Sequence, residues 1–234
     1  MGLYIRTRGR AKPVDKRKRL GAAGLILMGV GVAASCWVGT QTVAAETGTC
    51  ATNRYGVGCE QTEIQAIDTA RAAEGIKPLR LPADYNKLSP VEQLLVVTNA
   101  ERVDRGLPGF AGLSEQLDRL AQPGAATYRD PTGLPDAIWG SNWAGGETSV
   151  LQADYDWMYN DGLHSANIDC VTASDAGCWG HRHNILGDYG PEPAMGAAVV
   201  KMAATSGPAI FSLAQLFAAV PPGTIAYKLP TDSR

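Results

Sequence analysis

Two apolar runs close the chain, AMGAAVVKM from Ala194 to Met202 and AIFSLAQLFAAV from Ala209 to Val220. Runs of this length read as strands, and their proximity makes them neighbours in an antiparallel sheet. Helical signals dominate what precedes them. SPVEQLLVVTNAERVDRG is the clearest: Ser89 caps it, Pro90 takes the first turn, Glu92 completes a capping box and Gly106 closes it. Val91, Leu94 and Leu95 form its buried stripe with Thr98 next on that face, and Val96, Val97 and Val103 widen the apolar surface. CEQTEIQAIDTARAAEG sets Ile64, Ile67 and Ala70 on one helical face and stops at Gly75. KPLRLPADYNKL is a proline-punctuated connector. LSEQLDRLAQ makes a helix capped by Ser114 and broken by Pro123 and Gly124, and VLQADYDWMYNDG makes another. The glycines of WAGG allow a tight bend between a strand and that last helix. Helices first and strands last predict an α+β fold, with helices covering a small antiparallel sheet.

The first twenty residues carry eight basic side chains, Arg6, Arg8, Arg10, Lys12, Lys16, Arg17, Lys18 and Arg19, against Asp15 alone. An apolar run from Leu20 to Val38 follows, then TVAAE with small residues at Val43 and Ala45. This order reads as a secretory signal peptide cut after Ala45. An uncleaved membrane anchor is the alternative, because the run has 19 residues. A lipid anchor at Cys36 lacks the branched residue expected three places earlier. Of 21 basic and 23 acidic residues, removal of the leader leaves 13 and 22, a net charge near −9. So acidic a domain repels phosphate backbones and anionic lipid, which argues against nucleic acid as a partner. Membrane contact is expected only through the N-terminal segment, if uncleaved.

Export also suits the cysteines. Cys50, Cys59, Cys170 and Cys178 form two close pairs, and bridges 50–59 and 170–178 are the economical choice among three connectivities. A zinc site would want tighter spacing. The expected organisation is a leader over residues 1–45, an extension with a disulfide loop and a helix over 46–87, a main domain over 88–220 and a tail over 221–234.

CWGHRHNIL, Cys178 to Leu186, holds two of the three histidines. With the ordered segments TNAERVDRGLPGF, SNWAGG, DYDWMYNDG, MGAAVV and SLAQLF, its GHRHNIL resembles the CAP superfamily of cysteine-rich secretory, antigen 5 and pathogenesis-related proteins, its bacterial secreted branch above all. The resemblance runs from about Leu88 to Ala219 and implies an α–β–α sandwich with a cleft, lined in many members by two histidines and two glutamates able to hold a divalent metal. Of those four positions this chain keeps His181. Ser141 stands where one glutamate falls, sixteen residues before Trp157, and Asn160 stands for the other, with Asp161 beside it. ATYRDPTG, where the second histidine belongs, contains none. The implied cleft lining is His181, Ser141, Asn142, Asn160, Asp161 and Trp143.

Three uses of that cleft compete. A metal needs three or four convergent ligands, and His181 and His183 share a face only on an extended segment; Glu147, Asp161, His164 or Asp169 would have to complete the set. No bound metal or other cofactor is therefore expected. A hydrolase would use Ser141 as nucleophile, His181 as base and Glu147 or Asp161 as the orienting acid, without a G-x-S-x-G elbow or an oxyanion-hole signal to support it. The third use is binding: a secreted or cell-envelope domain, non-catalytic, taking a small apolar ligand, a wall component or a protein partner around His181. On this reading His181 is a neutral cleft-wall residue lacking a carboxylate at the family positions. Trp157 is core, Trp143 and Trp179 are less certain core residues, and Arg182 pairs with Asp154 or Asp161.

Overall fold

The computed structural model describes residues 57–202, 210–221 and 223–228. Along the chain run α1 (Val57–Ala73), a 3₁₀ turn (Tyr85–Lys87), α2 (Pro90–Val103), β1 (Leu113–Ser114), α3 (Glu115–Thr127) and β2 (Trp139–Glu147). Then come α4 (Val150–Tyr159), α5 (Gly180–Ile185), β3 (Pro193–Met202), β4 (Ile210–Ala219) and β5 (Ile225–Tyr227). The class is α+β. At the start of α2 the Glu92 carboxylate accepts the Ser89 N–H at 2.7 Å, closing the capping box that the sequence encodes.

The sheet order is β2-β4-β3-β1-β5, antiparallel except where β1 meets β3. The two closing apolar runs are adjacent strands, paired from Pro193↔Ala219 to Met202↔Ile210. They are apolar almost throughout because both sheet faces are covered. Leu213, Phe217, Met195 and Ala197 pack with Leu94 and Leu95 of α2 and Leu151 and Trp157 of α4. Their alternates Ala214, Leu216, Ala218, Ala194 and Ala198 pack with Leu117, Ala121 and Ala125 of α3. At Gly196 a Cβ would lie 2.2 Å from the Leu117 backbone, so α3 rests on β3 only because that position is glycine.

Three expectations change. Helix α3 runs through Pro123 to Thr127 instead of breaking there. The missing proline N–H removes one helical bond, and the turn beyond is tied by Thr127 Oγ1 donating to the Pro123 carbonyl at 2.7 Å. The expected boundaries after residues 87 and 220 do not separate cores: Ile67 of α1, Leu79 and Tyr85 are buried in the cluster that holds Trp157, and Tyr227 packs against it. β5, assigned to the tail, pairs with β1. Extension, domain and tail thus contribute to one core, because each carries apolar side chains that nothing else covers. Finally, WAGG lies within β2, where the register shifts between Gly145 and Glu147 and Gly146 takes φ +88. The bend is a bulge in the strand.

The leader, Cys50 and with it the expected Cys50–Cys59 bridge lie outside the described residues. Among those residues no helix is long and apolar enough to cross a membrane.

Candidate functional site

The GHR segment is helical. Trp179, left-handed at φ 60, turns the chain into α5. On a helix His181 and His183 point about 200° apart, so His181 goes inward and His183 is exposed. Buried Arg102 of α2 anchors the end of this short helix. Its Nη1 donates to the carbonyls of Ile185 at 2.6 Å and Gly187 at 2.8 Å, and its Nε to Pro108 at 2.9 Å. The guanidinium lies 4.3 Å from the Phe110 ring centroid, a cation–π contact that helps hold it inside.

Asp161, immediately past α4, is fully buried and takes donors on both oxygens. His181 Nδ1 lies 2.7 Å from Oδ1, the Arg182 N–H donates to Oδ2 at 3.1 Å, and the Asn167 amide donates to Oδ1. Asp161 also accepts from the Arg182 N–H and Asn167, so Nδ1–H of His181 is assigned as the donor in their contact. Burial alone would lower the His181 pKa. Asp161 opposes that by hydrogen bond and by charge, Asp130 and Asp169 add to it, and the net direction is upward. The expectation that nothing raises the pKa of this imidazole is corrected: Asp161, beside the expected position, does so. Asn160 donates to Asp156 at 2.8 Å, whereas its neighbour Asp161 faces the histidine.

The loop from Gly162 to Trp179 keeps Asp161 in place. Trp179 N–H donates to the Asp161 carbonyl at 2.8 Å, and Asn167 also donates to the Gly177 carbonyl at 2.9 Å. Cys170 and Cys178 close the loop with a disulfide, Cα to Cα 4.5 Å, as their spacing predicts.

On the other side of the ring, Nε2 lies 3.9 Å from Asp130 Oδ1. Asp130 belongs to ATYRDPTG, the segment that should have supplied a histidine. The Trp143 N–H donates to its carboxylate. β2 is an edge strand, and three of its outward backbone groups are taken: Ser141 O by Asn184 Nδ2 at 2.7 Å, Trp143 N–H by Asp130, and Trp143 O by the Trp157 indole at 3.2 Å. This closes an edge that would otherwise invite pairing.

Strand parity decides the remaining candidates. Asn142 points to the α5 side, where its amide donates to the His181 carbonyl at 3.2 Å and its oxygen accepts from Asn184 at 3.1 Å. Ser141 points the opposite way, and its buried hydroxyl donates to the Pro131 carbonyl at 2.8 Å. Trp143 shares the Ser141 face, its indole donating to Ser212 Oγ at 2.8 Å. Glu147, at the end of β2, faces Asp156 and Glu63. Arg182 reaches Glu74, at 2.8 Å, instead of Asp154 or Asp161. Trp157 is core, whereas Trp179 is 41% exposed. Among the described residues no three or more His, Cys, Asp or Glu side chains gather in a way that could hold a metal ion.

The site is thus an Asp161–His181 pair with Asp130 beyond it, propped by Asn142, Asn184, Asn167 and Arg102. Sequence reasoning found His181 and Asp161 and passed over Asp130, Asn167 and Arg102. One usable signal was that RDP stands where a ligand was missing. No protein-family model matches the chain, and no curated protein and no solved structure matches it.

Proposed function

We propose that the chain is an exported CAP-type domain whose cleft, walled by His181, Asp161 and Asp130, binds a ligand without transforming it. The observation that carries this reading is the Ser141 hydroxyl. It is buried, donates to Pro131 O and lies on the face of β2 away from the Asn142 contact with α5, which leaves His181 without the nucleophile a serine hydrolase requires. A sheet covered by helices on both faces, and family-like segments in family order, support the CAP assignment. The ligand is a small apolar molecule, a wall component or a protein segment, with a polar group for His181 and Asp130. Thermal-shift screening of wall fragments, lipids and peptides tests the proposal. A stabilising ligand whose effect disappears in His181→Ala supports it. Ester, peptide or glycan turnover by wild type, lost in both His181→Ala and Ser141→Ala, refutes it.

One observation favours a second reading. The Asp161–His181 pair holds Nδ1 as donor and, among the described residues, leaves Nε2 with no partner closer than Asp130 at 3.9 Å. An imidazole so oriented can take a proton from water. Turnover lost in His181→Ala and kept in Ser141→Ala would establish that reading.

A further inference from the structure

Away from His181, three carboxyl groups from three elements meet where α1 crosses α4. Glu63 lies on α1, Glu147 ends β2 and Asp156 sits on α4. Glu147 is only 6% exposed, its carboxyl meets that of Asp156, and its Oε2 is buried without an N–H or hydroxyl donor. Glu63 accepts from the Ser149 hydroxyl at 2.6 Å and from the Thr148 hydroxyl at 3.5 Å, so the start of α4 is tied to α1 through this side chain.

Among the described residues, no cation acts on these three carboxyl groups. The groups acting on Glu147 are Asp156 and Glu63; those on Asp156 are Asn160 and Glu147; those on Glu63 are Ser149, Thr148 and Glu60. From the 3₁₀ turn, the buried Tyr85 faces Asp154, Glu60 and Glu63. Asp154, two residues before Asp156 on α4, is the acid turned toward the buried arginines, acted on by Glu101, Arg71 and Arg105. Two carboxylates in contact have four acceptors and no donor, so the contact holds only with a proton between them.

We propose that Glu147 and Asp156 share a proton, and that this proton latches α1 to α4 by sparing Glu63 a cluster of like charges. Burial, then Asp156 and Glu63, push the Glu147 carboxyl up to about 8. Burial likewise raises Glu63 and Asp156. A raised folded-state value means that the folded latch holds a proton that the open one releases. Its contribution is complete below the ordinary glutamate value and is lost as pH climbs through the folded value. The latch therefore closes in mild acid and loosens in mild alkali, opposite to the usual behaviour of a salt-bridged carboxylate. Because α1 joins the first 56 residues to the rest of the chain, its docking is what the proton controls.

Amide hydrogen exchange on the full chain, corrected for intrinsic rates, tests this. Protection of α1 relative to β4 should fall at least about tenfold between roughly pH 6 and pH 9, the scale linkage gives for one unmatched proton. Glu147→Gln and Asp156→Asn each replace the shared proton with a permanent amide N–H and should keep α1 protected across that range. Wild type should also show the infrared carbonyl band of a protonated acid, lost in Glu147→Gln. If Glu147→Gln does not fold, Asp156→Asn and the wild-type band decide. Flat α1 protection in wild type, or loss of protection in the folded amide variants parallel to wild type, overturns the proposal.

Discussion

Asp161, without exposed side-chain surface, accepts a hydrogen bond from His181 Nδ1 at 2.7 Å across a helix junction and a disulfide loop. The acid follows the end of α4 and the histidine sits in the first turn of α5, so the pair joins these elements. The other donors to Asp161 are the Arg182 N–H and Asn167, so one buried carboxyl group ties the loop and the helix to the imidazole.

Replacing that carboxyl group should be visible in the titration of its partner. Asp161→Asn is expected to lower the His181 pKa, read by NMR, because hydrogen bond and charge both favour the imidazolium. The sign for stability follows from the raised folded value. The pair stabilises fully below the ordinary histidine value of about 6.5 and loses its contribution as pH rises through the folded value. Wild type should therefore lose stability relative to Asp161→Asn across that window in denaturant titrations.

His181→Ala should cost about 1–3 kcal/mol, since Asp161 keeps its charge and loses one of its buried donors. Ser141→Ala should cost about 1 kcal/mol, through the Pro131 carbonyl, and leave the His181 titration unchanged. Urea melts and histidine NMR on both variants check the pair.

Gly196→Ala should destabilise by about 1–3 kcal/mol or more, because its methyl would meet the Leu117 backbone at 2.2 Å and neither strand nor helix can give way alone. The measurement is the denaturation midpoint. A neutral result would mean that α3 does not rest on β3 as described.

Cys178→Ser removes a bridge over eight residues of sequence separation, worth about 2–3 kcal/mol in the chain-entropy model. The effect should reach His181, because the bridge stands between Asn167 and Trp179, whose amide and N–H position Asp161. Expected are faster amide exchange over residues 162–179 and a shifted His181 titration, with β3 and β4 protected as before.

Much of this protein was legible locally. The Ser89–Glu92 capping box, the two closing strands, the Cys170–Cys178 pair and the buried Trp157 each follow from signals within a few residues, and each holds in the structure. Capping, hydrophobic period and short-loop closure depend on neighbours in sequence, so the sequence alone determines them. Pro123 misled because a proline late in a packed helix loses one hydrogen bond while the buried Leu117, Ala121 and Ala125 keep the helix on the sheet.

The candidate site was decided only by tertiary structure. Ser141 and Asn142 are consecutive, and which of them looks toward His181 depends on strand register, where a shift of one residue exchanges the faces. Arg182 finds Glu74 at a separation of 108 residues, although the acids expected for it lie much nearer in the chain. Asp130 meets His181 because the exit from α3 and the first turn of α5 converge on the free edge of β2. Such partners are chosen by where helices cross and which sheet edge stays open, and those depend on the packing of the whole core.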